Sequence, residues 1–328
     1  MSKKAVIFTL ISVLFAALFV SLFTYDYGSD SSLQIEAVNT RVRVLDDYVK
    51  NFQKYTEESL AISSFSTLNS MYTLMLKQGR FYVNSSDFNN TFRNCMTCAY
   101  TDCTTRIIPC PNMQNRTLTF LVNNITTLAR NKLNIRTDYS IKSIEVYQSY
   151  PFDVEVDVVV EFKISDVLES EYASWNMTKT LHQTILIGMF SDPLIGLNTN
   201  DTLKRTITQY DGACAYNQTQ TCWNLNITKA FYNSNQYKYF NNGTNYLERF
   251  WNGTTPSSCC GIESFINVSV ASGNNSYVDN YYWTGAYRCP INGNVTLLRI
   301  GGIAPGFTLD YPTAVRYNVV NDKNSTCP

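Results

Sequence analysis

From Ala5 to Phe23 the chain carries no charge, and apolar residues fill most positions. Lys3 and Lys4 stand before this run, and Asp26 is the first charge after it. At about 1.5 Å per residue, such a run spans roughly the 30 Å of a bilayer's hydrocarbon core. A cleaved secretory signal has a shorter apolar stretch and a small-x-small exit. Val20-Ser21-Leu22-Phe23-Thr24 offers no such pair. The pattern predicts a cytoplasmic stub at 1–4 and a transmembrane helix at 5–25. Cationic residues on the short side leave the remaining chain outside the cell.

A polar break, Gly28 to Ser32, follows and predicts a hinge, with Ser31 or Ser32 capping a new helix. Apolar residues then recur at Val38, Val42, Leu45, Val49 and Phe52, and again at Ile62, Phe65, Leu68, Tyr72 and Met75. Spacings of three and four, with neither Pro nor Gly up to Lys77, predict a long amphipathic helix. Hinge and stem together occupy 26–80.

Residues 81–117 read as an irregular Cys-rich segment, and Leu118 to Leu133 as a shorter helix. The period then becomes two. Phe152, Val154, Val156, Val158, Val160, Phe162 and Ile164 alternate with Asp153, Glu155, Asp157, Glu161 and Lys163. This is a strand packed on one face and wet on the other. Ser140–Gln148 and Tyr172–Gly188 read as its antiparallel neighbours, which completes a region at 81–195. Residues 196–328 read as a glycosylated, disulfide-rich β-region. It has a short helix at Asn245–Trp251 and strands at Ser264–Ser269, Asp279–Trp283, Val295–Ile300 and Phe307–Leu309. The fold class is α+β: a transmembrane helix, a long amphipathic helix on an antiparallel β-meander, and a small disulfide-stapled β-rich C-terminal domain.

Composition assigns the compartment. Lys+Arg and Asp+Glu are 26 each, so no basic excess points to nucleic acid. With 34 Asn and 62 Ser+Thr, random placement gives about six N-x-S/T sequons. The chain has 14, at Asn84, Asn89, Asn115, Asn124, Asn176, Asn200, Asn217, Asn226, Asn242, Asn252, Asn267, Asn274, Asn294 and Asn324. Asn39, Asn51 and Asn69 of the stem lie in none. The 10 cysteines are even in number: Cys95, Cys98, Cys103, Cys110, Cys214, Cys222, Cys259, Cys260, Cys289 and Cys327. Outside the cell they should be disulfides. Sequons, cysteines and topology agree on a single-pass protein with its C-terminal region extracellular.

Candidate chemistry is sparse. Cys95, Cys98, Cys103 and Cys110 have a spacing that suits zinc, but in this compartment two disulfides stapling a loop are the better reading. Cys214 and Cys222 close a short loop. Adjacent Cys259 and Cys260 should each reach a different partner, with Cys289 and Cys327 the candidates. His182 is the only histidine, so any Ser-His-Asp, Cys-His or histidine-metal site must use it. Asp153, Glu155 and Asp157 are a candidate calcium or glycosidase carboxylate set, although alternating acids on a wet strand face are ordinary. Tyr277, Tyr281, Tyr282, Trp283 and Tyr287 form either a glycan- or subunit-contacting surface or the core of a small domain.

Lys3-Lys4-Ala5-Val6-Ile7 resembles an archaeal class III, type IV pilin-like signal. EYASWNMTKT with GMFSDPL, and SSCCGIESF with the aromatics after it, resemble large pilin-like surface proteins of small symbiotic archaea. The resemblance implies prepilin processing around Lys4, Ala5 and Val6, and self-association through the N-terminal helices. The expectation is therefore a non-enzymatic, cofactor-free, glycosylated surface protein at the cell membrane. It would be a filament subunit or adhesin, with membrane lipid, like subunits and a surface glycan as partners. The alternatives are the ectodomain of a surface glycan hydrolase and a viral type II attachment glycoprotein.

Overall fold

The computed structural model describes residues 3–167, 173–215, 221–253, 259–267, 275–283 and 297–322. Side chains are described from residue 35 to residue 321. The chain forms two compact units. One comprises residues up to Tyr55 with Asn124–Ser140 and Glu161–Thr178. The other comprises Thr56–Asn123, Ile141–Val160 and the chain from Lys179 onward. The dividing points fall inside the long helix, inside the helix at Leu118–Leu133 and inside each strand of the main sheet.

Helix α1, Lys3–Gln78, is 76 residues long. The hinge expected at 28–32 is absent, because the helix runs through it. A lone glycine costs a helix only about 1 kcal/mol, and Ser and Asp tolerate helical backbone, so flanking turns carry it. Among the described residues no helix is long and apolar enough to cross a membrane. The side chains of the expected membrane segment, 5–25, lie outside the described ones.

In the first unit, Leu45, Tyr48, Val49 and Phe52 of α1 are buried, as their spacing predicts. Phe52 meets Phe162 edge-on at 5.4 Å. The Tyr48 hydroxyl pairs with the Thr137 hydroxyl at 3.0 Å. Arg41 forks onto Asp166, its Nε 2.6 Å from Oδ2, and Nη2 donates to the carbonyls of Leu133 and Asn134. That clamp holds the carbonyl end of α3 (Leu118–Leu133). Further along α1, in the second unit, the apolar spacing misleads. Ile62 and Phe65 are exposed, while Ser59, Ser63, Ser64, Thr67 and Ser70 are buried with Leu60, Leu68 and Met71. Small side chains let neighbouring backbone approach, so here the tight face of the helix is the hydroxylated one.

The segment expected to be irregular contains α2, Ser85–Cys98. Asn84 caps it by accepting from the Asp87 amide, and Phe88, Phe92 and Cys95 are buried one turn apart. The helix α3 runs Leu118–Leu133 as its period predicts. The main sheet is an antiparallel meander, β1 (Ile135–Tyr150), β2 (Asp153–Asp166) and β3 (Ser174–Leu186), with β2 central. Val154, Val156, Val158, Val160, Phe162 and Ile164 are all buried, as alternation requires.

Beyond the sheet, α4 (Pro193–Asn198), α5 (Leu225–Ser234), β4 (Lys238–Tyr239), β5 (Ile262–Glu263), α6 (Asp279–Tyr282), β6 (Leu297–Arg299), β7 (Thr308–Asp310) and α7 (Tyr311–Arg316) are all short. The helix expected at Asn245–Trp251 shrinks to a single 3-10 turn, Glu248–Phe250. The strand expected at Asp279–Trp283 is instead helical over Asp279–Tyr282, and Tyr282 packs on Tyr277, a member of the unit's aromatic core. That core gathers Trp223, Phe231, Phe265, Phe307 and Tyr317, with Trp223 and Tyr317 edge-on at 4.6 Å.

Phe162→Ala should cost about 3–5 kcal/mol, whereas Val44→Ala, at a partly exposed position of α1, should stay within about 0.5 kcal/mol. Urea unfolding of the two variants measures the difference.

Candidate functional site

The residues singled out for chemistry meet on the wet face of the sheet, within the second unit. His182 Nδ1 lies 2.7 Å from Asp157 Oδ1, and its Nε2 lies 3.3 Å from the Thr184 hydroxyl. The Tyr147 hydroxyl donates to Asp157 Oδ2 at 2.9 Å, and the Ser149 hydroxyl donates to Glu155 at 2.7 Å. The acids at 155 and 157 thus answer donors on the neighbouring strands. The Asp157 carboxylate, by accepting its hydrogen bond, pushes the Tyr147 phenol up to about 12. His182 has its second nitrogen on the Thr184 hydroxyl beside it in the same strand, and its ring is half open to water. The row is cross-strand pairing, the ordinary chemistry of a solvated sheet face. Among the described residues no group of three His, Cys, Asp or Glu side chains is arranged to hold a metal ion.

The cysteines are placed as follows. Cys95 bonds Cys110 and Cys98 bonds Cys103, so this set is a double staple on the loop after α2, not a zinc cage. Cys214 bonds Cys222. Cys259 and Cys260 are bonded to each other, against the expectation of separate partners. Cys260 takes a left-handed backbone conformation (φ 71°). Cys289 and Cys327 lie outside the described residues, as do Asn217, Asn274, Asn294, Asn324 and Tyr287. The other sequon asparagines, Asn84, Asn89, Asn115, Asn124, Asn176, Asn200, Asn226, Asn242 and Asn252, are exposed, and Asn267 is half-buried. The buried asparagine, Asn245, belongs to no sequon. Of the aromatic cluster, Tyr277 and Tyr282 are core, and Tyr281 and Trp283 are half-buried.

Sequence reasoning missed the most concentrated electrostatics of the molecule. Arg249 is fully buried between Asp192 (2.6 Å) and Asp279 (2.8 Å), themselves without exposure. Its Nη2 donates to the Ile262 carbonyl at 2.8 Å. Asp192 also accepts from the Tyr237 hydroxyl at 2.7 Å and from the Leu194 amide, capping α4. Burial pushes the Asp279 carboxyl up, against the pull of Arg249. A few residues away, Glu263 accepts from Arg316 and from the Tyr317 hydroxyl, both at 2.6 Å. Lys238 sits 3.9 Å from Glu263, and its ammonium lies over the rings of Trp223 (4.3 Å) and Tyr317 (4.4 Å). Burial brings the Lys238 amine down to about 8, against the pull of Glu263. Apart from the partly exposed Arg316, these groups are closed off from solvent, where they hold the fold.

The chain matches no protein-family model, no curated protein and no solved structure.

Two measurements follow from the buried charges. Arg249→Met leaves two acids facing one another and should cost about 3–5 kcal/mol, read by chemical denaturation. Lys238 has a folded value below its ordinary one. Between about pH 8 and 10.5 the unfolded chain therefore holds a proton that the folded chain has lost, and wild-type stability gains with rising pH. Relative to wild type, Lys238→Met should accordingly be more stable at pH 7 than at pH 10; an equal gap at both values contradicts the assignment.

Proposed function

We propose that this chain is a membrane-anchored, N-glycosylated cell-surface protein with a pilin-like stem, acting in surface assembly or attachment rather than in catalysis. One observation carries the reading. Nine of the ten sequon asparagines of the described residues are exposed, with Asn267 half-buried, on a body stapled by disulfides. Glycan acceptors must be reachable from outside, and disulfides persist only in an oxidising compartment. Both demands are met by the same residues 84–267.

The unbroken course of α1 supports the stem. A helix of 76 residues is about 114 Å long. On this reading its first turns sit in the bilayer, with membrane lipid or like subunits around them, and its later turns join the outer body. Exposed Asn39, Asn51 and Asn69 carry no sequon, which keeps the stem free of sugar for packing.

Mass spectrometry of the mature N-terminus tests the pilin-like part. A start at Ala5 or Val6 is expected from prepilin processing in the native host. An intact Met1 or Ser2 would remove the filament reading and leave a simple signal anchor.

A further inference from the structure

An open cleft of about 1110 Å³ lies in the second unit beside the β1–β2 turn. It exceeds the roughly 300–1,000 Å³ of a small-molecule site. Two of the most exposed apolar side chains of the molecule, Tyr150 at 61% and Leu186 at 71%, converge on it. Tyr239 forms another part of the wall, its hydroxyl bonded to the Asn241 side chain. Gln209 and Asn241 add amides, and among the described residues Asp153 is the only acid or base in the lining apart from the tyrosines. The exposed Tyr150 and half-buried Tyr239 rings, set among neutral amides, match one ligand chemistry well. A pyranose ring has an apolar C–H face for the tyrosines and a belt of hydroxyls for the amides.

Asn242 stands in the same wall, exposed, as the first residue of Asn242-Gly243-Thr244. Its direction is fixed by the turn that carries it. The Gly243 amide donates to the Phe240 carbonyl at 2.9 Å, and the Phe240 amide donates to the Gly261 carbonyl at 2.8 Å. A Cβ on Gly243 would meet the Ile262 carbonyl oxygen at 2.8 Å, so only glycine fits. The Thr244 hydroxyl is tied to Asn280 at 2.6 Å. A sugar attached to Asn242 therefore begins at a rigid point on the rim of a cleft suited to sugars.

We propose that this cleft cradles the chain's own N-glycan on Asn242. The inner sugars lie against Tyr239 and Tyr150, and the glycan covers an apolar patch that would otherwise face water. The inference rests on the glycosylation put forward above. It also makes Asn242 a structural modification site, unlike the outward sequons on α2 and α3.

The test uses the full chain made in a mammalian secretory host, extracted in mild detergent and treated with peptide N-glycosidase in its native state. Glycopeptide mass spectrometry then reads each site. The Asn242 glycan should survive at least tenfold longer than those on Asn84 and Asn89, and denaturation should abolish the difference. Tyr150→Ala, at an exposed position that the fold does not need, should bring the Asn242 release rate to that of Asn84. Equal release at all sites in the wild type overturns the proposal, and so does an empty Asn242 beside occupied neighbours. Empty sites throughout the chain instead overturn the glycosylation reading, and this inference with it.

Discussion

The guanidinium of Arg249 is the constraint around which the second unit is organised. It is charged at every accessible pH and fully buried, so its place is tolerable only where acids and carbonyls surround it. Asp192, Asp279 and the Ile262 carbonyl meet that demand. Each belongs to a different stretch of chain: the start of α4, the start of α6, and β5. Each acid also has other duties. Asp192 caps α4 and holds Tyr237, and Asp279 accepts from Ser264. A shift in any one of these segments strands a charge in the interior.

Such a centre is needed because the local structure is weak. β4 and β5 pair over only two residues each, and β6 and β7 over three. Ladders this short do not stand alone in water. Their order comes from what they carry inward: the edge-on rings of Trp223, Phe231 and Tyr317, and the second charged group around Glu263. Charges that lose water are a poor source of net stability, but they penalise wrong arrangements heavily. In a region with little regular hydrogen bonding, that penalty selects one packing.

This arrangement explains what the sequence disclosed and what it hid. The meander was legible because each of Val154, Val156, Val158, Val160, Phe162 and Ile164 repeats a demand imposed by the pleat, and α3 because its apolar period has no breaker inside it. The Ile62 and Phe65 positions were misread because spacing registers apolar residues, whereas that part of α1 turns its serines inward. The helix α2 hid behind its cysteines and asparagines, although the Asn84 cap and the Phe88–Phe92 spacing were present. Nothing local distinguishes Asp192, Arg249, Glu263 or Asp279 from surface residues. Their burial depends on partners 13 to 57 positions away, information that no periodicity contains. The His182 and Asp157 positions were legible as a face, but their pairing needed the strand register.

The exposure pattern of asparagine sharpens the role proposed for the stem. Asn39, Asn51 and Asn69 are exposed, as are Asn84 and Asn89. Accessibility therefore does not separate stem from body. The separation lies two residues on, where Arg41, Gln53 and Met71 stand in place of a hydroxyl. Arg41 and Met71 have structural work at those positions. Arg41 clamps Asp166, and Met71 is buried, its carbonyl accepting from the Tyr82 hydroxyl. The chemistry that docks α1 onto its own body thus also denies it a glycan acceptor. A helix kept bare by its own packing contacts retains the smooth surface that close approach to a neighbouring helix would require.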